Sequence, residues 1–107
     1  MKTLKYRYLL VLSIGLSVFI SGCNKNNLNP STLYTPTSSD ITATATLVEL
    51  QQGRALYINN CNSCHALYSP DDYTPTQWKN IINSMAPKTG MAPLEILLVT
   101  KYVSRGK

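Results

Sequence analysis

The stretch "TLVELQQGRALYINNCNSCH", residues 46–65, joins a predicted helix to the most reactive side chains of the chain. Thr46 and Glu49 have the spacing of a capping box, in which each side chain bonds a backbone N–H at the start of a helix. Apolar residues then recur at helical spacing, which predicts a helix over about 47–59. Two cysteines and the only histidine follow within five positions, 61–65. The pattern therefore predicts a helix that ends in a cluster of two thiols and one imidazole.

Two further helices are predicted downstream. Thr74 and Gln77 form a second capping box ahead of "PTQWKNIINSMA", residues 75–86, which is apolar on one face. A third helix is predicted after Pro93, in "LEILLVTKYVS", residues 94–104. No stretch alternates apolar and polar residues over the length of a strand, so residues 46–107 are predicted to form a small all-α domain. A core of this size often needs a disulfide, a metal or a covalent cofactor to stabilise it.

The N-terminus has the layout of an export signal. Three basic residues precede the apolar run "LLVLSIGLSVFI", residues 9–20, which is shorter than the roughly 20 residues that a membrane-spanning helix needs. The following "ISGC" resembles the lipobox of bacterial lipoproteins, in which the cysteine is acylated. Residues 1–22 are therefore predicted to be a lipoprotein signal peptide, and Cys23 the lipidated N-terminus of the mature chain.

Composition and charge limit the function further. Residues 24–45 are rich in Asn, Ser, Thr and Pro and lack periodicity, so we expect residues 23–45 to form a lipidated flexible tether. From Cys23 onward seven basic and five acidic residues leave a net charge of +2. There is no basic stripe with interleaved aromatic residues, so the sequence gives no reason to expect a nucleic-acid partner.

Three kinds of chemistry suit the pair Cys61 and Cys64. A redox disulfide of the Cys-x-x-Cys type sits at a helix N-terminus after a strand, whereas this pair follows a helix. Zinc would find only three ligands, two of them adjacent, and no second Cys/His pair. Haem attachment explains the spacing, because two thiols two residues apart can both reach the vinyl groups of one haem. His65 then lies beneath the iron as its proximal ligand, and Cys-x-x-Cys-His is the signature of c-type haem attachment.

Residues 47–104 resemble the monohaem cytochromes c. "GRALYINNCNSCH" is similar to the helix that precedes the attachment motif in that family, and "EILLVTKYVS" resembles its C-terminal helix. The resemblance implies three to four short helices around one covalently bound haem c. It also implies that the first and last helices cross where a small residue packs on an aromatic one, for which Gly53 and Tyr102 are the matching residues.

The resemblance also suggests the remaining haem contacts. His65 is the only histidine, so a methionine is the natural sixth ligand. The stretch around Trp78 resembles that of small bacterial cytochromes c and implies Met85 in the helix. Met91, in the loop "KTGMAP" that resembles the ligand loop of other cytochromes c, is the alternative. The family draws the carbonyl that orients the proximal histidine from a proline, and Pro70 has that spacing. Trp78, Pro70 and Tyr57 are therefore candidate pocket residues, although Tyr57 is equally well explained as part of the core.

With both axial positions filled and no acid–base constellation, the sequence predicts one-electron transfer and not an enzyme with a small-molecule substrate. The partners would be redox proteins that donate and accept electrons, and the membrane through the lipid anchor. Asn24 after Cys23 favours the outer membrane over the inner, with the domain facing the periplasm. Two alternatives stay open: a haem protein that senses or binds a ligand at a labile or absent sixth position, and an interaction lipoprotein with a structural disulfide.

Overall fold

A computed structural model describes residues 28–105 of the chain. The predicted signal peptide, residues 1–22, and the predicted lipidation site at Cys23 lie outside this range. The described residues contain three α-helices and no strand, which confirms the predicted all-α class. The helices are α1 (Leu47–Cys61), α2 (Pro75–Thr89) and α3 (Pro93–Val103), and single 3₁₀ turns occur at Pro30–Thr32, Ser38–Asp40 and Pro70–Asp72.

The predicted capping boxes set the start of α1 and α2. The Thr46 hydroxyl accepts the Glu49 N–H at 3.3 Å, and the Glu49 carboxylate accepts the Thr46 N–H at 2.8 Å. Thr74 and Gln77 exchange the same two bonds, at 3.3 and 2.9 Å. Each pair satisfies backbone donors that a helix start leaves without a partner inside the helix.

The end of α2 lies beyond its predicted position at Ala86. The helix continues through Pro87 to Thr89, and Gly90 ends it in the left-handed conformation with φ 69°. Pro87 has no N–H to donate to the carbonyl four residues earlier, that of Asn83. Because Asn83 is exposed, water can satisfy that carbonyl, and the last turn forms despite the proline.

Helices α1 and α3 cross at Gly53, as the family resemblance implied. Gly53 is buried, and a Cβ built on it would collide with the Leu98 carbonyl oxygen and lie 2.9 Å from the Cβ of Tyr102. One turn away, Lys101 donates to the Glu49 carboxylate at 2.6 Å. The hydrogen bond from Lys101 lowers the pKa of Glu49 most, and the capping bonds from Thr46 lower it further, to about 2, well below its usual value. The absent side chain of Gly53 thus lets the two backbones touch.

Aromatic rings fill the core beside this crossing. Tyr57 packs against Tyr102 with ring centroids 5.8 Å apart and meets Trp78 edge-on at 6.2 Å. Trp78 and Tyr102 are almost completely buried. Edge-to-face and tilted arrangements at these distances are favourable for aromatic pairs. These rings connect α2 to the crossing of α1 and α3.

The segment before α1 differs from the predicted tether. Leu33 is buried in the core, and Tyr34 stacks on Tyr102 with 6.2 Å between ring centroids. The Arg54 guanidinium of α1 donates to the Tyr34 carbonyl at 3.1 Å, and the Tyr102 hydroxyl donates to the same oxygen at 2.8 Å. The expectation of a structureless tether is therefore corrected for residues 28–45, whose first part packs on the helices through a few anchoring contacts. Within residues 28–105, no helix has the length and apolar character needed to cross a membrane.

Substituting Gly53 with alanine tests the crossing. In an ordinary exposed helix position this change stabilises by about 1 kcal/mol, because alanine is the better helix former. Here we expect the opposite, a loss on the order of 1–3 kcal/mol, because the new methyl group overpacks the contact with Leu98 and Tyr102. Denaturant unfolding followed by circular dichroism measures the change. Gln52→Ala, at the exposed neighbouring position, is the control, and a Gly53→Ala protein as stable as Gln52→Ala would contradict the crossing.

Candidate haem site

A cavity of about 540 Å³ opens between the end of α1, the loop that follows it and α2. Its volume lies within the range of roughly 300–1,000 Å³ that is common for ligand pockets. Apolar surface predominates, and the lining residues come from the attachment motif and one face of α2: Tyr57, Asn60, Cys61, Ser63, Cys64, His65, Tyr68, Tyr73, Trp78, Ile81, Ile82, Met85, Lys88 and Thr89. The structure thus brings Cys61, Cys64 and His65 together with Trp78 and Met85 around one space.

The two cysteines differ in exposure although both line the cavity. Cys61 is the last residue of α1 and is half-buried, whereas Cys64 lies in the loop and is exposed. Both thiols are free. Burial raises the pKa of the Cys61 thiol, which is the opposite of the lowered pKa that activates redox cysteines. The direction of the shift at Cys61 is therefore not the one expected for the activated thiol of a thiol–disulfide oxidoreductase.

The imidazole of His65 is oriented by a backbone carbonyl. Its Nδ1 lies 2.8 Å from the carbonyl oxygen of Ala66, and since a carbonyl only accepts, Nδ1 carries the proton. The other nitrogen, Nε2, is then the one with a lone pair for a metal. We expected the orienting carbonyl to be that of Pro70, and the structure assigns this part to Ala66 instead.

Pro70 has a different place from the one predicted. It is buried and does not line the cavity, and its carbonyl accepts the Trp78 indole N–H at 3.0 Å. The 3₁₀ turn Pro70–Asp72 brings this carbonyl next to α2, which is why it reaches Trp78 and not His65. Trp78 itself lines the cavity as predicted, with its single N–H already bonded.

Tyr57 connects α1 to the chain after the motif. Its hydroxyl donates to the Tyr68 carbonyl at 3.0 Å and accepts the Tyr68 N–H at 3.1 Å. Burial raises the pKa of the Tyr57 phenol, so the hydroxyl keeps its proton and can maintain both bonds. Tyr57 therefore belongs to the core and to the cavity wall, and it fixes the return path of the loop that carries His65.

The two candidate methionines are in different surroundings. Met85 lines the cavity, one helical turn beyond Ile81 and Ile82 on the same face of α2. Met91 is outside the lining and packs its partly buried side chain against the core, while its N–H donates to the Thr89 hydroxyl at 3.3 Å. Only Met85 shares the cavity with His65.

This set of donors fits a covalently attached haem. Two thiols and an imidazole lie at the end of α1 and in the loop that follows it, and a thioether lies on α2, with apolar and aromatic walls between them. His and Met are axial ligands that haem iron takes in proteins. Among residues 28–105 no three His, Cys, Asp or Glu side chains form a group able to hold a metal ion, which is the minimum that zinc would require.

Sequence reasoning missed two polar residues that α2 contributes to the lining. Lys88 and Thr89 face the cavity because they stand three and four residues after Met85, on the same side of α2. The 3.6-residue period points to both positions, but only if the helix continues beyond Ala86. Because α2 was predicted to end at Ala86, neither residue was predicted to line the cavity.

The cytochrome c-type protein TorY of Haemophilus influenzae is 38% identical to this chain over 55 residues. The similarity supports a cytochrome c family. The aligned region is 51% of this chain, and it spans only 15% of the relative's length. No protein-family model matches this chain, and no solved structure matches it. The number of haem groups, their covalent attachment and the lipid anchor stay predictions.

Proposed function

We propose that this protein is a membrane-tethered one-electron carrier with a single haem c. The observation that carries the proposal is the common cavity of Cys61, Cys64, His65 and Met85. In it, the two cysteines would hold the haem by thioether bonds, and His65 and Met85 would ligate its iron. The likeness to a relative described as a cytochrome c-type protein supports the same conclusion.

Each part of the site has a defined task in this proposal. A bound haem supplies an iron that takes up and releases one electron. His65 presents Nε2, while its Nδ1, 2.8 Å from the Ala66 carbonyl oxygen, donates to that oxygen, which fixes the orientation of the ring. Met85 offers a soft thioether, and a Met/His pair raises the reduction potential relative to other ligand sets. Trp78, Ile81 and Ile82 give the cavity an apolar wall next to Met85.

The cavity is better suited to a carrier than to an enzyme. Its described lining includes one histidine and no carboxylate, so it offers no histidine–carboxylate or carboxylate–carboxylate pair for general acid–base catalysis. With two axial ligands in place, no coordination position is left for a substrate. The expected partners are therefore redox proteins that donate and accept electrons.

The proposed location rests on the N-terminal sequence alone. Export through residues 1–22 and acylation of Cys23 place the domain on the periplasmic face of a membrane, with the outer membrane favoured by Asn24. More than one acyl chain makes such anchoring stable, whereas one chain alone binds reversibly. Export also agrees with the chemistry, because c-type haem is ligated outside the cytoplasm.

Covalent attachment is tested by the intact mass of the exported chain. We expect the mass of one haem to be added to each chain, and to be lost in the double variant Cys61→Ala, Cys64→Ala. The variant Met91→Ala serves as the control that keeps both thiols. A parent chain whose mass shows only the loss of two hydrogens would contradict the proposal and favour the structural disulfide.

The sixth ligand is tested by comparing two methionine variants. Met85→Ala is expected to abolish the weak near-infrared charge-transfer band of a Met–Fe(III) bond, while Met91→Ala keeps it, because only Met85 lines the cavity. The reverse result would assign the ligand to Met91. Carbon monoxide binding by the reduced parent protein, with no such band in the oxidised form, would instead favour the ligand-binding alternative.

A further inference from the structure

Residues 28–34, here called the strap, lie against the helices beside the loop that carries His65. Three carbonyls of the strap accept bonds from the Arg54 guanidinium: that of Pro30 at 2.9 Å, that of Leu33 at 3.4 Å and that of Tyr34 at 3.1 Å. The planar fork of arginine presents its donors in fixed directions, so one side chain can hold three carbonyls at once. Arg54 therefore determines the path of the strap over α1.

The strap is held at a second point by the end of α3. The ring of Tyr34 stacks on Tyr102 at an interplanar angle of 14°, and the Arg105 guanidinium lies 4.3 Å from the centre of the Tyr34 ring. Arg105 also forms an ion pair with Asp71, at 2.5 Å. Together with the bonds from Arg54 of α1, these contacts at the end of α3 connect the strap to both helices of the crossing.

The other end of the strap forms walls around His65. Leu28 and Pro30 line a groove of about 220 Å³ together with Asn62, His65, Ala66 and Leu67. Leu28 also lines a neighbouring cavity of about 560 Å³, which His65, Ala66 and Leu67 share. Both spaces border the residues that form the hydrogen bond between His65 Nδ1 and the Ala66 carbonyl. Leu28 is partly buried against the core, so the strap supplies an apolar wall at this place.

We infer that the strap controls the access of water to His65, and that Arg54 is a positioning residue that acts through it. The inference rests on the proposed function, since it assigns the strap a part in setting the potential of the haem that His65 binds. The apolar surroundings of a metal site govern its solvent access and thereby its reduction potential. Water stabilises the more highly charged oxidised form, so a site that is better covered has a higher potential.

Three charge-conserving substitutions in the full-length haem protein test the inference. Leu28→Ser removes the apolar wall, and Arg54→Lys keeps the positive charge but loses the planar fork. Both are expected to shift the midpoint potential downward in a spectroelectrochemical titration. Hydrogen exchange should also show lost protection of the strap amides in Arg54→Lys. The control is Thr100→Val, which removes a bond from the Thr100 hydroxyl to the Ile96 carbonyl within α3 and is expected to leave the potential unchanged.

The outcomes separate the two claims. A parent protein without a haem spectrum would overturn the proposed function. A parent with haem, and with Leu28→Ser and Arg54→Lys at the parent potential, would overturn the inference while leaving the proposed function intact. An equal downward shift in Thr100→Val would also overturn it, because the potential would then report general loosening of the fold. If Arg54→Lys accumulates no haem protein, Leu28→Ser decides, since Leu28 lies at the edge of the domain.

Discussion

The contact between Gly53 of α1 and the backbone of α3 determines where the functional parts of this domain lie. Because Gly53 has no side chain, the helices approach until the Leu98 carbonyl and the Tyr102 Cβ occupy the space that a side chain at this position would need. That approach sets the direction of α1, and α1 ends at Cys61, where the attachment motif begins. Tyr102 lies at the same crossing, and its ring packs against the rings of both Tyr57 and Tyr34. The position of the cavity, at the end of α1, and the position of the strap, against Tyr102, therefore both depend on this contact.

A set of hydrogen bonds fixes the loop that follows His65 relative to α1 and α2. The Tyr57 hydroxyl bonds both backbone groups of Tyr68, and the Trp78 indole bonds the Pro70 carbonyl. These bonds fix the middle of the chain segment that returns from His65 to α2. The Trp78 bond is buried and the two Tyr57 bonds are partly buried, and a buried polar group left without a partner costs on the order of 1–3 kcal/mol. The loop therefore has few alternative paths, although Cys64 and His65 themselves are exposed.

Sequence reasoning succeeded where a local rule fixes the structure. The capping boxes at Thr46 and Thr74 predicted the helix starts. The crossing at Gly53 came from the family resemblance and not from a local rule. Sequence reasoning failed where single long-range contacts decide. The strap has no periodic pattern. Arg54 binds backbone carbonyls of the strap, and because every residue has such a carbonyl, the sequence does not mark these three as partners. The assignment of Pro70 relied on spacing alone, whereas the direction of its carbonyl depends on the 3₁₀ turn that it begins.

The central claim, that the space between α1 and α2 holds a redox-active haem c, is tested most directly by visible spectroscopy of the exported full-length chain. The account predicts a reduced-minus-oxidised difference spectrum of the c type that is reversible over repeated cycles. It also predicts a pyridine haemochrome that corresponds to one haem per chain. A colourless chain, or one whose visible spectrum does not change between dithionite and ferricyanide, would contradict it.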